Sequence, residues 1–270
     1  MRETDRPGRR TGGATAPAEP AREVIAGRQA VLEALSADAP IDVLYVERGE
    51  PGGNLRRILA IAKEKGIVIR EAAPQKLEGM AGLPTHQGVV ATLAAHRYAE
   101  VGEMLARAEE AGRPPLLVML DGIEDPHNLG AVIRSALLCG AHGVVIPKRG
   151  GVSVTPTVIK ASAGAAERLP VARVVNIAET IRRLKEQGVF VYCADMDGVP
   201  LQKNNLTGPI ALVLGSEGSG VSQLVKKRCD GVLRLEMAAP GTGVDSYNVS
   251  VAAGIILYEI RTQRAGAAQK

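Results

Sequence analysis

The sequence predicts an α/β protein whose larger part is built on a mostly parallel sheet covered on both faces. Three observations carry that expectation. Short runs dominated by Val, Ile and Leu alternate along the chain with segments of helical periodicity. The two most distinctive of these runs feed turns bearing Asp-Pro or closely spaced glycines. Apolar residues make up 46% of the 270 while aromatics make up only 2%, with no Trp and one Phe, so the core must be packed from aliphatic side chains.

Taken in order, residues 1–22 are rich in Arg, Gly, Pro, Ala and Thr without periodicity and read as a basic tail, either a plain solvated extension or an arm that touches RNA. Residues 23–95 form a small α/β domain. Val31, Leu32 and Leu35 give a helical stripe, 41–46 a strand, and Asn54 is placed to cap a helix bearing Leu55, Ile58, Leu59 and Ala62 that stops at Gly66. Further strands follow at 67–69 and 89–93. Residues 96–114 are a charged linker with a short helix. The second domain, 115–270, has strands at 116–120, 143–146, 171–175, 189–194, 210–214 and 232–236, and helices near 128–139, 155–164, 177–187, 219–228 and 248–263. Asn128 is a candidate helix cap, and Asn176 with Glu179 reads as a capping box. No internal repeat is visible.

The net charge of +4 and a pI near 9.0 permit a nucleic-acid partner without demanding one. The scarcity of rings argues against reading single strands by base stacking. Cys139, Cys193 and Cys229 are widely spaced in apolar context and read as small core residues of a reduced protein, and the four histidines lack ligand-like pairing, so no metal is expected. No apolar run approaches the ~20 residues that span a bilayer, and the first residues hold no apolar signal core, so the expectation is a cytoplasmic protein without a membrane partner.

Three segments carry chemistry. Leu120 to Arg134 runs from a strand through Asp125-Pro126 into a helix, with Arg134 nearly two turns in beside Val132, Ile133, Leu137 and Leu138. A guanidinium there needs a partner, or it snorkels to solvent or pairs with Glu124. Leu212 to Gly220 is a strand entering a glycine-rich turn, and Gly243 to Gly254 is a polar cluster becoming a small-residue helix. A dinucleotide reading of the glycine turn fails on spacing, because GxGxxG is absent and the turn does not follow the first strand.

Together, Asn128-x-Gly130-x-x-x-Arg134, Gly215-Ser-Glu217-Gly218-x-Gly220 and Ser246-x-Asn248-x-Ser250 resemble, in order and spacing, the three motifs of the SpoU-type (SPOUT) ribose 2′-O-methyltransferases. The resemblance implies a trefoil knot at the C-terminal end of the parallel sheet and S-adenosylmethionine as cofactor. Gly215, Leu235, Met237, Ser246 and Tyr247 would then hold that cofactor, and Arg134, Asn128, Glu217 and Asn248 would be catalytic. Val24 to Arg28 and Thr85 to Ala91 resemble the ends of the family's substrate-binding domain, of L30e-like type, which makes Arg28, His86 and Gln87 candidate RNA contacts; a helix cap and an ordinary loop histidine remain the alternatives. The chain departs from the family pattern between Met237 and Ser246, where residues 238–243 lengthen a presumed cofactor loop and Tyr247 replaces a leucine. The expected substrate is a guanosine of large-subunit ribosomal RNA, with transfer RNA or another ribosomal nucleotide as the nearest rival. A non-catalytic RNA-binding or assembly factor and, more remotely, a nicotinamide oxidoreductase are readings from other classes. A homodimer is implied by the same resemblance, and Ala252, Ala253 and Gly254 are small enough for close helix packing.

Overall fold

The computed structural model describes residues 24–37, 39–49, 52–82, 85–94, 96–238 and 246–268, so the basic tail expected at 1–22 lies outside the described residues. A smaller sheet has the order β1-β4-β2-β3, built from β1 (Val24–Ala26), β2 (Ile41–Glu47), β3 (Val68–Ala72) and β4 (Val89–Leu93). β2 and β3 are parallel, while β4 runs antiparallel to β1 and β2. α1 (Arg28–Ser36) and α2 (Gly53–Glu64) cover one face, burying Val31, Leu35 and Ile58 against Leu44 and Val46. α3 (Pro74–Ala81) covers the other, with Leu77 against Val43, Tyr45 and Val90.

The predicted strands here form, but β1 and α3 leave little trace in the sequence. β1 is three residues long and α3 has one fully buried side chain, too few positions to show a period. Asn54 does not cap α2. The helix begins one residue earlier, behind Gly52, and has no side-chain cap. Its other end behaves as expected, with Gly66 at φ +64°, a left-handed turn that glycine reaches without steric cost.

The larger sheet has the order β10-β8-β9-β5-β6-β7, with every pairing parallel. Its strands are β5 (Leu116–Asp121), β6 (Gly143–Pro147), β7 (Val171–Val174), β8 (Phe190–Pro200), β9 (Ile210–Gly215) and β10 (Gly231–Arg234). Along β5, Leu116, Val118 and Leu120 face one helical layer and Leu117 and Met119 the other, which is why the run is apolar without alternation. The first layer holds α5 (Pro126–Leu138), α6 (Pro156–Ala161) and α9 (Val249–Ala267), through Leu129, Ile133, Val158, Ile256 and Ile260. The second holds α4 (Val101–Glu110), α7 (Ile177–Glu186) and α8 (Gln223–Arg228), through Met104, Ile181, Leu184 and Val225. The predicted fold class, α/β on a parallel sheet covered on both faces, is what the chain adopts.

Several boundaries differ from expectation for local reasons. Asn128 is not the cap of α5, because the helix starts at Pro126 and the Asp125 side chain accepts from His127 N–H. The helix expected at 155–164 stops at Ala161, where Ala163 and Gly164 take φ of +50° and +80°. The helix expected from 219 begins only at Gln223, since the chain first turns back between Ser216 and Gly220. β8 runs on to Pro200 because Val199 and Pro200 pair with Leu233 and Arg234. Asn176 caps α7 by accepting from Glu179 N–H, whereas the Glu179 carboxylate turns to Arg182 and Arg183. Among the described residues, no helix is long and apolar enough to cross a membrane. The expected knot turns on the chain between β10 and α9, of which 239–245 lie outside the described residues.

Candidate active site

The strand order reverses between β5 and β9. From β5 the chain moves outward to β6 and β7, and the later strands β8, β9 and β10 fill the other side. In a parallel sheet the crevice beyond the carboxyl ends of strands at such a reversal is where ligands bind, because the loops there diverge. The loop after β5 and the loop after β9 therefore meet over a natural cleft. They are tied together: Asp121, the last residue of β5, accepts from Ser222 N–H at 2.9 Å.

The loop after β9 requires Gly215, for close approach, and Gly220, at φ +65°. Ser216 and Gly220 exchange backbone hydrogen bonds of 3.2 and 2.9 Å, and a Cβ on Gly215 would lie 2.0 Å from the Gly220 carbonyl carbon. This tight return projects Glu217 toward the start of α5. There the Glu217 Oε1 accepts from Asn128 Nδ2 at 2.8 Å and from Asn248 Nδ2, which also reaches Asn128 Oδ1 at 3.1 Å. Asn248 does double service, since its Oδ1 accepts from the N–H groups of Ser250 and Val251 and so caps α9. Three residues from three distant segments thus form one closed cluster, with both amide donors converging on one carboxylate oxygen. An ionised carboxylate held by two fixed donors is strongly oriented, and its second oxygen has no donor among the described residues.

Two cavities share the 216–220 loop as a wall. The larger, about 710 Å³, is bordered by Asp121, Glu124, Asp125, Asn128 and Glu217. The other, about 430 Å³, has largely apolar walls from Leu214, Leu233, Leu235 and Tyr247, with Ser216 and Ser246 among its polar groups. Gly215, Leu235, Ser246 and Tyr247 line this second cavity, as the sequence suggested for a cofactor; Met237 is half-buried and not part of its lining.

The sequence reading passed over Asp195 and Met196, which also line it. Their signal was the polar Asp195-Met196-Asp197-Gly198 at the end of an apolar strand, the position where parallel sheets present ligand-binding groups. Lys226 on α8 fixes this segment by donating to Asp195 Oδ2 at 2.8 Å and to both Asp197 oxygens at 2.7 and 2.8 Å. Burial works to raise the Asp195 carboxyl, but the Lys226 ammonium and the Met196 N–H outweigh it and hold the group below its ordinary range.

Arg134 stands apart from the cluster. It lies six residues beyond Asn128 on α5, roughly 9 Å along the axis and about 120° around it. It is exposed and makes no hydrogen bond or ion pair with another described residue, Glu124 included. Leu138, one turn on, continues its face, and Val251, Ile255 and Tyr258 are exposed on the adjoining α9.

On the small sheet the three candidate RNA contacts come together. Arg28 donates from N to Gln87 Oε1 and from Nε to Gln87 O, each at 3.0 Å, while Gln87 takes φ +51° and is exposed. His86 is buried, and its Nδ1 accepts from Gly88 N–H at 3.1 Å, so it holds this turn from beneath.

The chain is similar to known proteins in both of its parts. Residues 115–258 match the SpoU rRNA methylase family, and residues 24–99 match the family described as RNA 2′-O ribose methyltransferase substrate binding. A relative from Bacillus subtilis (strain 168), named for the TrmH family of tRNA/rRNA methyltransferases, is 43% identical over 244 residues, covering 90% of this chain and 96% of its own. Among solved structures, the SpoU methyltransferase AviRb from Streptomyces viridochromogenes, in complex with AdoMet, superposes with a TM-score of 0.58 at 24% identity, covering 91% of this chain and 92% of its own, a likeness of fold. A protein from Porphyromonas gingivalis described as an RNA methyltransferase of the TrmH family superposes at 0.52 with 27% identity, covering 89% of each chain.

Proposed function

The chain belongs to the SpoU rRNA methylase family, and from that premise we propose that it transfers a methyl group from S-adenosylmethionine to a ribose 2′-hydroxyl of RNA, with a guanosine of large-subunit ribosomal RNA as substrate. The observation that carries this reading is the Asn128–Glu217–Asn248 cluster, which joins the three motif segments at the strand reversal and borders the apolar-walled cavity.

That cavity suits the cofactor chemically. The Gly215–Gly220 turn brings bare backbone to its edge, Leu214, Leu233, Leu235 and Tyr247 offer apolar surface for a purine ring, and Ser216, Ser246 and Asp195 offer polar partners for the remainder. Gly215, Leu235, Ser246 and Tyr247 are the residues we assign to hold it, with Met237 at the margin. When bound, S-adenosylmethionine supplies an electrophilic methyl carbon on a sulfonium. The chain's own contribution is alignment and charge. Glu217, oriented by its two amides, sets a fixed negative charge beside the reacting region. Alignment of two bound reactants is worth on the order of 7–11 kcal/mol.

Arg134 is assigned to the RNA. A guanidinium is a poor base and acts through its charge and its planar set of donors. It grips a substrate phosphate and stabilises the nascent alkoxide, while phosphate or water takes the 2′-hydroxyl proton. Its distance from the cluster is reconciled by a homodimer. Leu138, Val251, Ile255 and Tyr258 form an exposed apolar patch that continues from Arg134, and a second copy seated there would enclose Arg134 at the rim of an active site. On the small sheet, Arg28 and Gln87 meet RNA and His86 braces their turn. We place it in the cytoplasm, together with the ribosomal RNA that this reading gives it as substrate.

The test is incubation with methyl-labelled S-adenosylmethionine and unmodified ribosomal or transfer RNA, followed by nuclease digestion and mass spectrometry. Label on a ribosomal ribose is expected, with loss of 10²-fold or more in Arg134→Ala and a large loss in Arg134→Lys, which keeps charge but not the planar fork. Label on transfer RNA alone would overturn the substrate and keep the chemistry. Near-normal rate in Arg134→Lys would remove the assigned role of the guanidinium.

A further inference from the structure

The two sheets are joined by contacts unlike those within each. Among the described residues, no cluster of buried apolar side chains draws on both: the clusters of the small sheet end at Ala91, and those of the large sheet begin beyond it. Charge makes the junction. Asp42, on β2, is only 6% exposed, and its Oδ1 accepts from Arg173 Nη1 on β7 at 2.5 Å, while its Oδ2 accepts from Ser153 Oγ at 3.5 Å. The Arg173 head lies 4.9 Å over the Tyr98 ring and donates from Nη2 to Lys148 O at 3.3 Å. Tyr98 in turn accepts from Val154 N–H at 2.8 Å. One carboxylate of the small sheet is thus received in a socket made by β7, the connecting segment and the loop between β6 and α6.

That loop reaches the active site. Val152 N–H donates to Ile123 O at 2.8 Å, and a Cβ on Gly151 would lie 3.2 Å from the same oxygen. Ile123 belongs to the loop after β5, which borders the larger cavity and leads into α5 and Asn128. Asp42 is therefore two contacts from the crevice although it belongs to the other sheet.

A buried ion pair is a poor way to gain stability, because desolvation consumes most of its attraction, but its geometry is exacting. Apolar surfaces slide over one another at little cost, whereas here the carboxylate divides its oxygens between Arg173 and Ser153 while the same guanidinium also donates to Lys148 O, a set of contacts that fixes one arrangement. We propose that the Asp42–Arg173 pair is a joint that holds the RNA-recognition sheet at a fixed angle to the catalytic sheet, making both of them positioning residues for the RNA substrate. The proposal rests on the methyl-transfer reading above. RNA that touches both sheets is registered over the crevice by this joint, and the cofactor cavity, on the far side of the 216–220 loop, does not depend on it.

The experiment compares the full-length protein with Asp42→Asn, and with Arg173→Lys in case the first variant does not fold, as judged by circular dichroism. Expected in the folded variant are a KM for structured ribosomal RNA raised fivefold or more, cofactor affinity by calorimetry unchanged within twofold, and a rate on a short oligonucleotide spanning only the crevice unchanged within twofold. Small-angle scattering should show a larger maximum dimension. An unaltered KM and scattering profile overturns the joint, as does an equal loss on the short oligonucleotide. If the wild-type protein methylates no RNA, the reading of function falls, and scattering alone still decides whether the pair fixes the two sheets.

Discussion

His142, at the amino end of β6, shows how one buried side chain sets a pH dependence. It is 2% exposed, and its Nδ1 accepts from Leu116 N–H at 3.0 Å. Burial first, and then the charges of Arg113, Arg264 and Arg107, push its pKa down to about 4. The unfolded imidazole titrates near 6.5, so the unfolded state takes up a proton first as pH falls. Stability is complete above about pH 6.5 and is lost progressively toward pH 4, by on the order of 3 kcal/mol from this group. Urea unfolding at pH 7 and pH 4.5 should show that loss, and His142→Gln should lose correspondingly less between the same two pH values; equal losses in both proteins would remove His142 as the cause. At this scale the sequence was informative about residue type and misleading about role. Asn128 has the identity of a helix cap, but Asp125 took that position, which left the Asn128 amide for Glu217.

Elements pack as closely as their smallest residues allow, and α5 meets α6 at Gly130. A Cβ there would lie 2.5 Å from Ala161 Cβ and 2.9 Å from Val158 O. Alanine is the better helix former by about 1 kcal/mol, yet overpacking costs about 1–3 kcal/mol, so Gly130→Ala should be destabilised overall. Scanning calorimetry should show a Tm lowered by several degrees. Gly266→Ala on α9, where nothing lies within 4 Å, should be neutral or slightly stabilised, and similar shifts in the two variants would refute the packing argument. Strands β5, β6 and β9 of the large sheet were legible because burial on both faces makes each an apolar run, whereas β7 carries Arg173 and β10 ends on Arg234. The end of β8 was not, because Asp195, Met196 and Asp197 are polar and pair there only through β10 and Lys226. The start of α8 was displaced by a turn whose cause, the Ser216–Gly220 pairing, depends on loop closure and not on helix propensity.

For the whole molecule, the unpartnered patch of Leu138, Val251, Ile255 and Tyr258 marks where a second copy belongs in our reading, with Leu138 71% and Tyr258 61% exposed. Sedimentation velocity should find a dimer for the wild type. Tyr258→Glu, which sets a charge in the middle of the patch, should shift it to monomer and lower methyl transfer 10-fold or more, while the far-ultraviolet circular dichroism stays that of the folded chain because the side chain is exposed in the single chain. A wild type that sediments as a monomer would return Arg134 to the question of how it reaches the crevice.

The sequence by itself determined the elements that depend on near neighbours: the apolar strands, the amphipathic helices, the glycine turn after β9, and the presence of three motifs resembling the SpoU type. Those features rest on periodicity and local sterics, which a linear reading contains. Only the tertiary structure decided what those residues do to one another. Asn128 and Glu217 are 89 positions apart, Asn128 and Asn248 are 120, and Asp42 and Arg173 are 131. Such pairs form because the parallel sheet gathers its carboxyl-end loops on one edge and seats the small sheet against β7. Strand order and register set those meetings, and neither is a property of any local stretch of chain.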